Sequence, residues 1–247
     1  MFRHTGQKRS YKQNLRLAVL LCLTAGMVNA AGLLSFSVLT TNVTGHAALL
    51  AQTLASGEIR AARMVALWLL LFLAGAFFSG FCIHKIGRNK RYVYTVPIIV
   101  EIILLVAVAS LGDIFDGSII KTEYFAGSLL FAMGLQNALV SAISGSVVRT
   151  THLTGMFTDL GIDLSLIISS SGKDSAGIKK RIALRFVIIS FFLAGGILGG
   201  FAFLKLRYYT FFIPAGVLMF AMFYDAFRIR FRRTIYKIVN RRPVKTV

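Results

Sequence analysis

Runs of about twenty apolar residues are the length that crosses a bilayer core, and this 247-residue chain contains several. Twice the apolar pattern is broken by the same polar motif. The first copy reads Gly26-Met27-Val28-Asn29-Ala30 and, further on, Thr41-Asn42-Val43-Thr44-Gly45. The second reads Gly134-Leu135-Gln136-Asn137-Ala138 and then Thr150-Thr151-His152-Leu153-Thr154-Gly155. Asn29 corresponds to Asn137, Thr41 to Thr151, Thr44 to Thr154 and Gly45 to Gly155. Backbone that leaves the helix at membrane depth carries N–H and C=O groups that lipid cannot satisfy. Such breaks persist only where protein or a water-filled cavity meets them.

The composition agrees with a polytopic membrane protein of the all-α class. It is 56% hydrophobic and only 15% charged, with a mean hydropathy of +0.73. The net charge of +19 sits in tails and short loops between the apolar runs, the distribution of the positive-inside rule. That places both termini in the cytoplasm, with the basic run Arg228–Lys245 against anionic head groups of the bilayer. No soluble domain accompanies the charge, so a nucleic-acid partner is not expected. Cys22 and Cys82 lie in apolar runs and read as small buried hydrophobes rather than a disulfide or metal pair. The basic start, the apolar run and Val28-Asn29-Ala30 imitate a cleaved signal peptide. Cleavage there would cut the first motif, so the segment is read as retained.

Taken in order, the chain divides into a basic tail (1–14), a first membrane repeat (15–111), a connecting loop (112–123), a second repeat (124–227) and a basic tail (228–247). The first repeat holds a span Leu15–Leu34, the break Ser35–Asn42, a short helix Val43–Ala55, a span Met64–Ile83, a basic loop His84–Arg91 and a span Val93–Leu111 interrupted by Pro97. The second holds a span Tyr124–Ile143, the break Ser144–His152, a helix Leu153–Ser170, a basic loop Ser171–Arg181, a span Ile182–Phe203 and a span Tyr208–Phe227 interrupted by Pro214. Thirteen residues make about 20 Å of helix, too short for a core of about 30 Å. The expected fold is therefore six full crossings plus two broken or re-entrant helices, in two pseudo-symmetric halves related as inverted repeats. The alternative is eight crossings with parallel repeats. Small residues recur four apart at Gly75/Ser79, Gly195/Gly199 and Gly196/Gly200, a spacing that lets helix backbones approach closely in lipid. Packing between spans is their expected role, with homo-oligomerisation through the same face as the other reading.

Paired broken helices are what the binding sites of many secondary transporters are built from. A helix beginning at Thr44-Gly45 or Thr154-Gly155 offers free N–H groups and a positive dipole end. The candidate substrate-binding residues are Asn29, Asn42, Thr44, Gly45, His46, Asn137, Thr151, His152, Thr154 and Gly155. His152, Met156, Asp159 and Asp163 share one helix face, and intramembrane acids are costly enough to mark function. Asp159, Asp163 and the mid-span Glu101 are the candidate proton or ion-coupling groups. Arg149 is a charge partner for Asp159 or for an anionic substrate, and Arg185 a partner for Glu101. No catalytic set, metal signature or cofactor motif is present.

The paired motifs resemble the YoaK-like family of bacterial membrane proteins, a domain of unknown function, over about Leu15 to Phe227. That family reads G-x-x-D-A then N-x-T-G-N, and G-x-Q-N-A then T-T-x-L-T-G. This chain departs at Asn29, where an acid is usual, and at His46, where Asn is usual. The resemblance implies a multi-spanning protein of the bacterial inner membrane and, by analogy, a permease. The functional expectation is a secondary transporter or permease for a small molecule. The rivals are a channel, a membrane-embedded enzyme acting on a lipid-like substrate through His46, His152, Asp159 and Asp163, and a membrane scaffold.

Overall fold

The computed structural model describes residues 10–87, 94–114, 119–169 and 175–224, and among these every regular element is helical. The N-terminal residues 1–9, most of the loop after Ile86 and the basic run Arg228–Lys245 lie outside the described residues. In order, the helices are α1 (Tyr11–Phe36), α2 (Val43–Ala55), α3 (Ile59–Ile86), α4 (Thr95–Leu111), α5 (Ile119–Ser144), α6 (Leu153–Ser169), α7 (Ser175–Leu206) and α8 (212–224). A 3-10 turn, Gly112–Ile114, follows α4, and another, Arg207–Phe211, joins α7 to α8. α5 begins at Ile119, inside the stretch 112–123 read from the sequence as a loop, and α7 begins before Arg181.

Among the described residues, five stretches are long and apolar enough to cross a bilayer: Asn14–Phe36, Ile59–Ile86, Thr95–Ile114, Thr122–Ser144 and Ala176–Tyr224. The last is 49 residues long, about 70 Å if it were one straight helix. It bends at the 3-10 turn, where Arg207 takes a positive φ of 49°. α2, with 13 residues, is too short to span.

The two prolines do not interrupt their spans. Pro97 is the third residue of α4 and Pro214 the third of α8. N–H groups of the first turn have no intrahelical acceptor, so proline sits there without losing a hydrogen bond. Both prolines mark where a helix starts.

α1 and α5 form the inner layer: in their most apolar windows 61% and 67% of residues are buried, against 22% for α3 and 28% for Ala176–Tyr224. α1 packs most extensively on α7, and α5 on α3; α2 lies on α3, and α6 on α7. Exchanging the two halves turns each of these contacts into another of them. The outer faces of α3 and α7 expose Leu70, Leu73, Phe77, Phe186, Leu193, Ile197 and Phe201, the surface a bilayer covers.

Glycine makes both cross-half contacts. A Cβ on Gly26 of α1 would lie 2.0 Å from the Phe192 carbonyl oxygen of α7, and one on Gly195 would lie 2.1 Å from that of Leu23. In the other pair, a Cβ on Gly134 of α5 would lie 2.1 Å from the Phe72 carbonyl oxygen of α3, and one on Gly75 2.1 Å from that of Phe131. Phe72 and Phe192 are counterparts in the repeat, as are Leu23 and Phe131. The small-residue spacing thus serves packing inside the chain. Lipid tails are as apolar as leucine, so association rests on this closeness.

Gly134→Val is expected to force α3 and α5 apart and cost about 1–3 kcal/mol or more. Gly80→Ala, where a Cβ would meet nothing within 4 Å, is expected to stabilise by up to about 1 kcal/mol through helix propensity. Thermal unfolding of the detergent-purified variants, followed by size-exclusion recovery, separates the two outcomes.

Candidate functional site

Each break begins where an inner helix ends in left-handed backbone. Ser37, after α1, has φ 57°; Gly145 and Ser146, after α5, both have φ 65°. The turns are closed by Ser37 N–H to the Leu33 carbonyl (2.9 Å) and Ser146 N–H to that of Ser141 (2.8 Å), the usual αL way of ending a helix. The loops that follow are irregular and partly tucked into protein: Val38, Thr40, Thr41, Val148 and Thr150 are buried, while Ser37, Asn42, Gly145, Ser146 and Val147 are exposed. At membrane depth, backbone of this kind needs protein or a water-filled cavity beside it.

The first break is held shut by its own side chains. Asn29 Oδ1 accepts from both the N–H (3.1 Å) and the hydroxyl (3.0 Å) of Thr41. Asn42 is the N-cap of α2, its Oδ1 accepting from the Gly45 N–H at 3.0 Å, a capping bond of the standard kind. A Cβ on Gly45 would lie 2.4 Å from Asn42 Nδ2, so glycine is needed for the cap to fold over the helix start. His46 is buried, donates from Nε2 to the Leu39 carbonyl at 2.8 Å and sets its ring edge-on to Trp68, 5.5 Å between centroids. It braces the loop.

The second break is held differently. Ser144 Oγ accepts from the Val148 N–H and donates to its carbonyl, both at 3.0 Å. No hydrogen bond joins Asn137 to Thr151 among the described residues, and Asn137 Oδ1 is buried without a partner. The ring of His152 covers Gly155, whose Cβ would meet it at 2.4 Å. Its Nδ1 accepts from Arg149 Nη1 at 3.4 Å.

The two breaks meet. One cleft of about 420 Å³ is lined by Thr41, Asn42, Val43 and Thr44 from the first and by Ser146, Arg149, Thr151, His152, Leu153 and Thr154 from the second, with Asn137 and Ser141 of α5 and Phe72 of α3. Of the sequence-predicted substrate residues, Asn42, Thr44, Asn137, Thr151, His152 and Thr154 are brought together there, along with Arg149. Asn29, Gly45, His46 and Gly155 support the loops and helix starts beside it.

The candidate coupling acids are placed elsewhere. Asp163 is 3% exposed and is gripped by two arginines of α7. Arg181 Nη2 lies 3.0 Å from its Oδ1, and Arg185 Nη1 bonds its Oδ2. Arg185 Nη2 also reaches Asp159 Oδ2 at 3.1 Å, while its Nη1 donates to the Asp159 carbonyl at 3.1 Å. Arg185 therefore pairs with the two acids of α6 and not with Glu101, and Arg149 contacts His152 and not Asp159. Glu101 sits on the buried face of α4 at 0% exposure, both carboxyl oxygens without a hydrogen-bond partner. The signal missed in the sequence was two complementary pairs at i, i+4 spacing: Asp159/Asp163 facing Arg181/Arg185. The four groups that an embedded enzyme would need do not converge, since His46 is spent on Leu39 and Asp163 on the arginines.

Asp163→Ala strips the buried partner from Arg185 and is expected to cost about 3–5 kcal/mol of stability. The half-exposed Asp159 is worth much less, and Asp159→Asn is expected to cost about 1 kcal/mol or under. Chemical denaturation of both variants beside the parent checks the ranking.

Residues 17–224 match the family described as "Protein of unknown function (DUF1275)". No curated protein and no solved structure matches the chain.

Proposed function

The chain belongs to this family of unknown function, DUF1275, and on that premise we propose that it is a secondary transporter or permease for a small molecule. The observation that carries the reading is the shared cleft: equivalent residues of two equivalent breaks, Thr41/Thr151, Asn42/His152 and Thr44/Thr154, line one cavity. Two discontinuous helices opening on a common site is the arrangement by which transporters bind a solute and rock one half against the other. The volume falls within the range of small-molecule sites.

In this reading α1, α3, α4, α5, α7 and the span Tyr208–Phe227 read from the sequence, of which α8 is the described part, cross the membrane, while α2 and α6 re-enter. Three crossings per half make the halves inverted, and the exchange of contacts between α1–α7 and α3–α5 is what such a two-fold relation predicts. In the same reading both termini lie in the cytoplasm and the protein in a bacterial inner membrane, which the positive-inside distribution of charge supports.

The test is solute flux into proteoliposomes carrying the full chain, over a panel of small metabolites and cations with an imposed pH gradient. Some solute is expected to cross, and Thr154→Trp, which fills the cleft from its exposed rim, is expected to reduce flux to the liposome background while the protein still elutes as a folded species. Flux indifferent to filling the cleft would sink the proposal.

A further inference from the structure

We infer that Glu101 is a proton-binding site linked to the conformation of the protein: its carboxyl is a neutral acid while α4 is packed as it is here, and it gives its proton to water when α4 loosens. The inference stands on α4 and not on the cleft, so it goes beyond the transporter reading.

Glu101 is the seventh residue of α4, about 9 Å of helix from its start. It is fully buried, and neither carboxyl oxygen has a hydrogen-bond partner. Its neighbours on the same face, Ile98, Ile102 and Leu105, are buried and apolar. Asp163, the other buried acid among the described residues, has what an ionised carboxylate needs there: two arginines close on it. A charged carboxylate without such partners, in an apolar interior, is far more costly than a neutral one. The proton is therefore part of the packed structure. The ionisable groups of the surrounding elements stand away from this carboxyl. α4 carries none besides Glu101. On α5, Lys121, Glu123 and Tyr124 lie in the first two turns, and nothing ionisable follows. On α3, Arg60 and Arg63 stand at one end and Cys82, His84 and Lys85 at the other. The 3-10 turns carry Asp113, Arg207, Tyr208 and Tyr209. Tyr94 precedes α4, and α8 carries none before Tyr224. None of these bonds the carboxyl.

Packing does not call for an acid at this position. Pro97 and Pro214 are each the third residue of their helix. Four residues on stand Glu101 and Leu218, both fully buried. Leucine fills the second position with no polar group to satisfy. A neutral carboxyl without a partner still destabilises, so Glu101 is not explained by stability. α4 also lies outside the glycine crossings that fix α1 on α7 and α3 on α5. It contains no glycine and packs on α5 and on the turn Arg207–Phe211. On that turn Thr210 keeps a buried hydroxyl without a partner. A helix seated this way opens more readily than the glycine-locked pairs.

Water reaching the carboxyl lets it ionise as an ordinary glutamate does, above about pH 4.3. The O–H bond breaks, the electron pair stays on the carboxylate and the proton goes to water. Packed α4 therefore binds one more proton than loosened α4. The packed form is favoured most at low pH. As pH rises through the neutral range it loses ground to the loosened form by up to about tenfold per pH unit. In a transporter that linkage makes the proton a coupling ion.

The test uses the full chain in nanodiscs. Near neutral pH the infrared spectrum is expected to contain the carbonyl stretch of a protonated carboxylic acid, and that band is expected to vanish in Glu101→Gln. Protection of the α4 amides against hydrogen exchange, corrected for intrinsic exchange, is expected to fall with rising pH by up to about tenfold per unit. In Glu101→Gln and Glu101→Leu it is expected to be independent of pH, and either variant suffices for the comparison. Glu101→Leu, which copies Leu218, is expected to fold and to be at least as heat-stable as the parent. Lys85→Gln is expected to keep the parent's pH profile and controls for reconstitution. Absence of the acid band overturns the inference. So does an acid band accompanied by α4 protection that ignores pH, or loss of the fold in both variants, which makes the acid a structural partner. Flux measured on the same preparations separates this from the transporter reading. The band and the pH-linked protection without flux leave the proton site standing and remove transport. Flux that Thr154→Trp abolishes, with no acid band, does the reverse.

Discussion

The structure depends on how closely its helix backbones approach at four glycines. Gly26 and Gly195 bring α1 onto α7; Gly75 and Gly134 bring α3 onto α5. Each contact joins one half of the chain to the other, so the halves interlock instead of standing side by side. In lipid no hydrophobic effect drives helices together, and interhelical contact has to come from dispersion and carbonyl contacts that only small residues permit. The consequence reaches the cleft. Gly26 and Gly134 each lie one turn or less before Asn29 and Asn137, so the same crossing that packs the halves brings the two breaks together.

Against that shared frame the breaks differ, and the difference comes from few residues. Asn42 caps α2, while His152 stands at the corresponding place before α6 and lies over Gly155 with Arg149 on its Nδ1. Ser144 closes the second loop on Val148, which leaves Asn137 without the task that Asn29 performs. In the first break Asn29 and Asn42 are spent on Thr41 and Gly45; in the second Asn137 Oδ1 is buried without a partner, and Thr40 and Thr150, one in each break, both keep an unpartnered buried hydroxyl. The two breaks carry matching motifs and differ in which of their polar groups are hydrogen-bonded.

Much of the architecture was legible in the residues. α2 begins and ends where the sequence placed it, Val43–Ala55, because Asn42 is a capping residue followed at the right distance by Gly45 and a long apolar stretch. The breaks were legible because polar, glycine-containing segments inside apolar runs have no other use for their backbone. The prolines misled: Pro97 and Pro214 read as interruptions because each stands within an apolar run, yet the helix starts only two residues earlier. Hydropathy marks what lies in lipid and is blind to where a first turn begins. The acids misled in the same way. Asp159 and Asp163 share a face, which is visible in one helix; that Arg181 and Arg185 face them is a property of two helices and their crossing.

The sequence by itself determined that this chain is helical, has helices long and apolar enough to cross a bilayer and carries two matching interruptions, because those follow from local hydropathy, from the length of helix that spans a core and from glycine and threonine at helix starts. Only the tertiary structure decided which polar residues are spent and which are free. Asn29 and Asn137 are the same residue in the same motif, yet one holds Thr41 and the other keeps a buried Oδ1 without a partner. Hydrogen-bond satisfaction in a buried site is a closed account kept among residues far apart in the chain, and no local pattern records its balance.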